Sequence, residues 1–93
     1  MMPNMSMTNP QPTIQAWLEK QFMVDFSSEL SPDQDLFEAG VIDSFGQVEL
    51  VGFLERTFKV HFTDEELMSP KMASLSGMVD LVMSKMATSN FSR

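Results

Sequence analysis

Apolar positions recur at helical spacing in three long stretches of the chain and one short one, and each stretch has its own start or stop signal. In the first, Ile14, Trp17, Leu18 and Phe22 fall on one face of a helix and read as core. This helix begins between Asn9 and Thr13. Asn9-Pro10 offers an N-cap followed by a proline at the first helical position, and Thr13 is a second candidate cap. The second helix runs from about Ser44 to Phe58. At about 100° per residue, Leu50, Val51, Leu54 and Phe58 share an arc wide enough for a core stripe, while Phe45, Val48 and Gly52 lie nearly opposite. A second apolar arc on a helix of a small domain marks a surface that meets something else. The third helix is short: a capping box of Thr63 and Glu66 opens it at Asp64, and Ser69-Pro70 closes it after about Met68. The last spans Ser74 to about Thr88, with Leu75, Met78, Val79, Val82, Met83 and Met86 on one side.

From Asp25 to Asp43 no period is sustained, and a connection this long inside a small domain is uncommon unless it has a job. Ser31 and Gln34 suit a capping box opening a single turn through Asp35, Leu36 and Phe37, with Gly40 placed to end it. Leu30, Leu36, Phe37, Val41 and Ile42 are apolar enough to pin the loop against the rest. The pattern therefore predicts an all-α four-helix bundle with three long helices, one short helix and a long loop between the first two. Its domain covers residues 9–88, preceded by a disordered extension over 1–8 and followed by a flexible tail over 89–93. Trp17, Leu54, Phe58 and Val79 are expected to meet in the core.

A chain of 93 residues has room for one modest core and no cleft between domains. Thirteen acidic residues against six basic ones give a net charge of -7, which argues against nucleic acid and anionic membranes as partners and favours basic protein surfaces. The acids also cluster, with eleven between Asp25 and Glu66 against only Arg56 and Lys59. Charge alone fits a solvated, solubilising face as well as a docking surface. There is no cysteine, so disulfides and thiolate metal sites are excluded. The single histidine, His61, has no second candidate ligand nearby, and no metal site is expected. Met1 to Pro12 lacks the basic and continuous apolar regions of a signal peptide, and no later stretch suits a membrane span. A cytoplasmic monomer that inserts in no membrane is the expectation.

Candidate chemistry centres on Ser44. A serine in the first turn of a helix, ahead of an acidic and apolar run, is where a phosphodiester is accommodated by free backbone N–H groups and the positive end of the helix dipole. Asp43-Ser44 alone reads more readily as an ordinary N-cap. Its context changes that: a long loop before it, a helix after it, and two further helices of suitable length. The stretch from Asp35 through Asp43-Ser44-Phe45 to Glu49-Leu50-Val51 resembles the acyl carrier protein family, in which Asp-Ser followed by Leu, Met or Phe opens the second helix. The resemblance extends over about Trp17 to Met83 and includes the Phe58 that closes the helix.

That resemblance implies the acyl-carrier bundle and a covalent 4'-phosphopantetheine on Ser44, added from coenzyme A by a separate phosphopantetheinyl transferase to which Asp43 is presented. The arm's thiol would hold an acyl or aminoacyl group as a thioester, so the reactive group belongs to the cofactor and the protein is not itself an enzyme. A loading ligase and acceptor or tailoring enzymes are the other implied partners. Phe45, Val48 and Gly52, flanked by Glu49 and Glu55, form the expected partner-binding face. Gly46 stands where fatty-acid carriers usually have an acid, Gly52 where many have a larger apolar residue, and Arg56 and Lys59 interrupt the acidic end of the helix. In these features the chain resembles carriers of amino acids, such as D-alanyl carriers, or of small acids in secondary metabolism, more than those of fatty-acid synthesis.

Three other classes of function make distinct demands on these residues. A calcium loop starting at Asp33 and Asp35 fails, because Glu38 falls where glycine is needed and Ser44 where a bidentate glutamate is needed. An independent enzyme is disfavoured, since no serine has a histidine partner apart from a chance approach of His61. A small helical adaptor that docks a partner through Phe45 and Val48 explains the second apolar arc equally well, and modification of Ser44 separates it from a carrier.

Overall fold

The computed structural model describes residues 9–91, with 88–91 described by backbone alone. Residues 1–8 of the expected extension and 92–93 of the expected tail lie outside the described residues. Helix α1 (Gln11–Phe22), α2 (Ser44–Phe58), α3 (Asp64–Leu67) and α4 (Leu75–Phe91) follow in order, with a 3-10 turn at Pro70–Ala73 before the last. The described residues contain no strand. The molecule is the expected all-α four-helix bundle, with α4 extending beyond Thr88 to Phe91.

Local chemistry sets the helix ends. Asn9 Oδ1 accepts the Gln11 N–H at 3.0 Å from two residues ahead of the helix, and Pro10, which has no side-chain hydrogen bond to give, takes the cap position between them in place of the expected first helical one. α1 stops at Met23, whose left-handed backbone (φ 57°) turns its N–H to the Glu19 carbonyl. At α3 the capping box is complete: Thr63 Oγ1 accepts the Glu66 N–H, and Glu66 Oε1 accepts the Thr63 N–H at 2.8 Å. Lys85 Nζ of α4 donates to both oxygens of the same Glu66, at 2.8 and 2.9 Å, and ties the short helix down.

The core is built around α4. Its Leu75, Met78 and Val82 are wholly buried with Ile14 and Leu18 of α1, Leu50 and Leu54 of α2, Leu36 of the loop and Met72 of the 3-10 turn. The turn lies directly on the α4 backbone. A methyl on Gly77 would stand 2.3 Å from the Lys71 carbonyl oxygen and 2.6 Å from its Cα, so only glycine allows the contact.

The long loop is docked along most of its length. Leu36 donates its N–H to the Ala73 carbonyl at 2.7 Å and accepts from Val41 and Ile42; Ser76 of α4 donates its N–H to the Pro32 carbonyl and its hydroxyl to Asp33. The expected Ser31–Gln34 capping box does not form. Ser31 Oγ accepts from Asp33 N–H, whereas Asp35 Oδ1 accepts from both Phe37 and Glu38 N–H at 2.9 and 3.0 Å. Asp35 immediately precedes the turn, and a carboxylate is the stronger acceptor for its open amides. Gly40 ends the turn at φ +77°, as expected.

Two facings differ from the sequence pattern. Met83 is 48 % exposed, and Leu81 takes the inward place on α4 that the apolar count assigned to it. α2 is rolled toward Gly46 and Phe53, so Phe58 is only half-buried. Trp17 stacks on Phe53 with ring centroids 4.6 Å apart, and Phe53 meets Phe58 edge-on at 6.4 Å. Trp17 and Phe58 therefore belong to an aromatic layer outside the buried Leu54 and Val79, joined through a residue the stripe omitted. Phe26, Phe62 and Met72 complete the core from the connections, where no helical period pointed to them.

Candidate functional site

The docked loop delivers the chain to α2 at Asp43, which adopts an extended conformation and caps the helix by accepting the Gly46 N–H on Oδ1 at 2.8 Å. Its carbonyl accepts the Gln47 N–H. The amides of Ser44 and Phe45 are left at the positive end of a fifteen-residue helix. Ser44 is the first residue of α2, exposed, and its hydroxyl has no hydrogen-bond partner among the described residues. Such a hydroxyl can be approached from outside, and a phosphodiester on it would sit against open backbone N–H groups. Among the described residues no histidine stands beside it to act as a base. His61 follows the far end of α2, about 21 Å along the axis, where its Nδ1 lies 3.3 Å from Glu55. Among the described residues no group of three or more His, Asp or Glu side chains is arranged to hold a metal ion. Asp33 and Asp35 are engaged by Ser76 and by backbone amides.

Gly46 has a role the sequence did not disclose. It is buried, and a Cβ there would stand 2.9 Å from the ring of Phe22, so the last aromatic of α1 rests against the first turn of α2 beside the Asp43 cap. A carboxylate at this position would have to displace that ring.

The other expected site residues divide between free and engaged. Phe45 is 79 % and Val48 70 % exposed, and Gly52 lies with them on the outward side of α2. Glu49 accepts from the Gln21 side-chain amide of α1 at 3.1 Å. Glu55 accepts the Phe62 N–H at 3.0 Å and so fixes the connection after α2.

A groove of about 770 Å³ opens between the loop, α2, α3 and the 3-10 turn, with Phe37, Val48, Val51, Leu67, Met68 and Met72 among its walls. Gln47 Nε2 donates across it to the Leu67 carbonyl at 3.3 Å. Val48 stands one turn from Ser44, about 6 Å along the helix, so anything rooted on Ser44 starts at the mouth of the groove. Met68, 85 % exposed, forms part of the opposite wall. The groove was not visible in the sequence, because its walls come from segments whose pairing no local period reveals.

Three curated relatives show the same likeness: the D-alanyl carrier proteins of Streptococcus pyogenes serotype M5 (strain Manfredo), serotype M49 (strain NZ131) and serotype M1 are each 46 % identical over 48 residues. The match covers 52 % of this chain and 58 % of each relative, so it spans a little over half of their length. No solved structure matches the chain. Residues 14–82 match the family model described as the phosphopantetheine attachment site. With most of the chain matched and a helix-opening serine inside the match, the chain belongs to the phosphopantetheine attachment-site family, non-catalytic carriers to which 4'-phosphopantetheine is covalently joined.

Proposed function

We propose that the protein is a carrier that holds an aminoacyl group, with D-alanyl the first candidate, on a phosphopantetheine arm attached to Ser44. The observation that carries this reading is the exposed Ser44 hydroxyl, without a hydrogen-bond partner among the described residues, at the open end of α2 following the Asp43 cap. Ser44 supplies the nucleophilic oxygen. The base that takes its proton and the groups that activate the coenzyme A pyrophosphate belong to the transferase, from which adenosine 3',5'-bisphosphate departs. When bound, the arm supplies a terminal thiol that carries cargo as a thioester. Asp43 keeps the first turn of α2 in register beneath Ser44, and Phe45, Val48 and Gly52 give the partner enzymes an apolar face beside it. Glu49 adds charge at its edge, whereas the expected contribution of Glu55 is taken up by the Phe62 N–H and His61. The D-alanyl assignment draws on the names of the curated relatives. No helix among the described residues is long and apolar enough to cross a membrane.

The test is intact mass after incubation with coenzyme A, magnesium and a broad-specificity phosphopantetheinyl transferase. One phosphopantetheine should be gained by the wild type and none by Ser44→Ala. Holo protein given D-alanine, ATP and a D-alanine-activating ligase should then gain one alanyl group, released by hydroxylamine. Modification at another serine, or none with several competent transferases, would leave the helical adaptor as the better reading.

A further inference from the structure

The outward face of α2 changes sign along its length. Ser44, Val48, Gly52 and Arg56 recur every four residues and form one stripe, with Arg56 about 18 Å along the axis from Ser44. Around the Ser44 end, residues 33–49 contain Asp33, Asp35, Glu38, Asp43 and Glu49 and no lysine or arginine. At the far end Arg56 and Lys59 are exposed and form no ion pair among the described residues. Glu55, their acidic neighbour, is turned away to the Phe62 N–H and His61. Arg56 folds back along the stripe: its Nη1 lies 3.1 Å from the place a methyl on Gly52 would occupy, so the guanidinium covers the gap that the missing side chain leaves. α3 and its acids approach α2 at Gln47 and Val51. Val51 is about 140° around the helix from Arg56, so those acids lie on the other flank.

Resting on the carrier reading above, we propose that this face docks the amino-acid-activating ligase in a single orientation, selected by the acidic end at Ser44 and the basic end at Arg56 and Lys59. The partner then carries basic side chains where the arm enters and carboxylates about 18 Å farther along α2. A partner that is basic throughout would cover Arg56 without a counter-charge, and covering an unpaired charge is costly. Opposite signs at two ends of a narrow stripe also penalise the reversed arrangement, so charge fixes register while Phe45 and Val48 supply apolar contact. Gly52 and Arg56 act as one element in this scheme, because a larger residue at 52 would lift the guanidinium off the helix.

The experiment uses holo protein, with attachment brought to completion and verified by mass for each variant. D-alanyl loading by the ligase named above is compared for wild type, Arg56→Glu, Lys59→Glu, the double variant, and Lys20→Glu as a charge-matched control on α1. Arg56→Glu should lower kcat/KM about tenfold in dilute buffer, and the deficit should shrink to within about threefold at 0.5 M salt as screening shortens the range of the charge. Lys20→Glu should stay within twofold or so of wild type. Equal or faster loading by both Arg56→Glu and the double variant, with unchanged melting temperatures, overturns the proposal and leaves the carrier reading intact. Failure of wild-type attachment at Ser44 overturns the carrier reading itself. Attachment without D-alanyl loading removes both the cargo and this partner.

Discussion

The two long faces of the molecule obey different constraints. Along α4, Leu75, Met78 and Val82 are fully buried, Gly77 admits no side chain, and Ser76 is hydrogen-bonded to the long loop through both its backbone and its hydroxyl. Along the outward side of α2, Phe45 and Val48 are mostly exposed, and among the described residues Arg56 and Lys59 have no ionic partner and the Ser44 hydroxyl no hydrogen-bond partner. Stability and recognition are therefore separated in space, although both depend on the same loop, which is buried at Leu36 and ends at the cap of Ser44. Changes on the α4 side should be read in unfolding and changes on the α2 side in loading.

The sharpest challenge to that separation is Gly77→Ala. Its methyl would overlap the Lys71 carbonyl and Cα, which are backbone atoms and cannot rotate away. Overpacking of this kind costs about 1–3 kcal/mol and sometimes more. The 3-10 turn must lift off α4, taking the Ala73 carbonyl away from the Leu36 N–H. A fall of the urea midpoint equivalent to at least about 2 kcal/mol is expected. A wild-type midpoint would show that the turn contributes little to α4 docking.

Val48→Asp should do the reverse. The side chain is 70 % exposed and one turn from Ser44, so its replacement leaves the core intact while placing a charge at the mouth of the groove and in the centre of the apolar face. Loading by the D-alanine-activating ligase should fall at least tenfold, about 1.4 kcal/mol of transition-state binding, with a circular dichroism melt close to wild type. Loss of fold with loss of loading would break the comparison, since Val48 would then belong with the core.

How far the sequence revealed these two faces depends on how local each signal was. The Thr63–Glu66 capping box needed only four consecutive residues, and it formed as read. Ser44 was found from a helix start and its surroundings, again nearly contiguous. The Ser31 box was misplaced because Asp35, equally visible, lies closer to the turn it caps. The roll of α2 was missed because Leu50, Val51, Leu54 and Phe58 satisfy a stripe as well as Gly46, Leu50, Phe53 and Leu54 do. Only the approach of Phe22 to Gly46 and of Trp17 to Phe53 chooses between them. With Phe58 at the rim of that aromatic layer, truncating it should cost less than the 3–5 kcal/mol or so of a fully buried phenylalanine. Gly77, the groove and the splitting of α2 into acidic and basic ends all rest on contacts between distant segments, for which a helical period carries no information.

The smallest expected effect lies at α3, the element that joins the two faces by walling the groove on one side and meeting α4 on the other. Glu66 accepts from Lys85 Nζ and from the Thr63 backbone, and these contacts, the Lys85 hydrogen bond first and the Thr63 backbone second, hold its carboxyl below the ordinary glutamate value of 4.5. A carboxyl whose folded value is depressed contributes stability that is present above the unfolded value and is lost as the pH falls through the folded one. The window is therefore below about pH 4.5. Lys85→Met keeps most of the side chain's length but removes the ammonium, which is both the chief cause of the depression and the cation lying 5.8 Å from the centroid of the Phe62 ring. At pH 7 it should cost about 1 kcal/mol or less, the scale of a partly exposed ion pair. Below the window the variant and the wild type should converge, because protonated Glu66 no longer rewards the lysine. Urea midpoints followed from pH 7 down through pH 4.5 and below should show the deficit shrink steadily as the pH falls. A deficit that persists undiminished in acid would mean that Lys85 acts chiefly through its ammonium over the Phe62 ring, a contact that does not depend on the charge of Glu66.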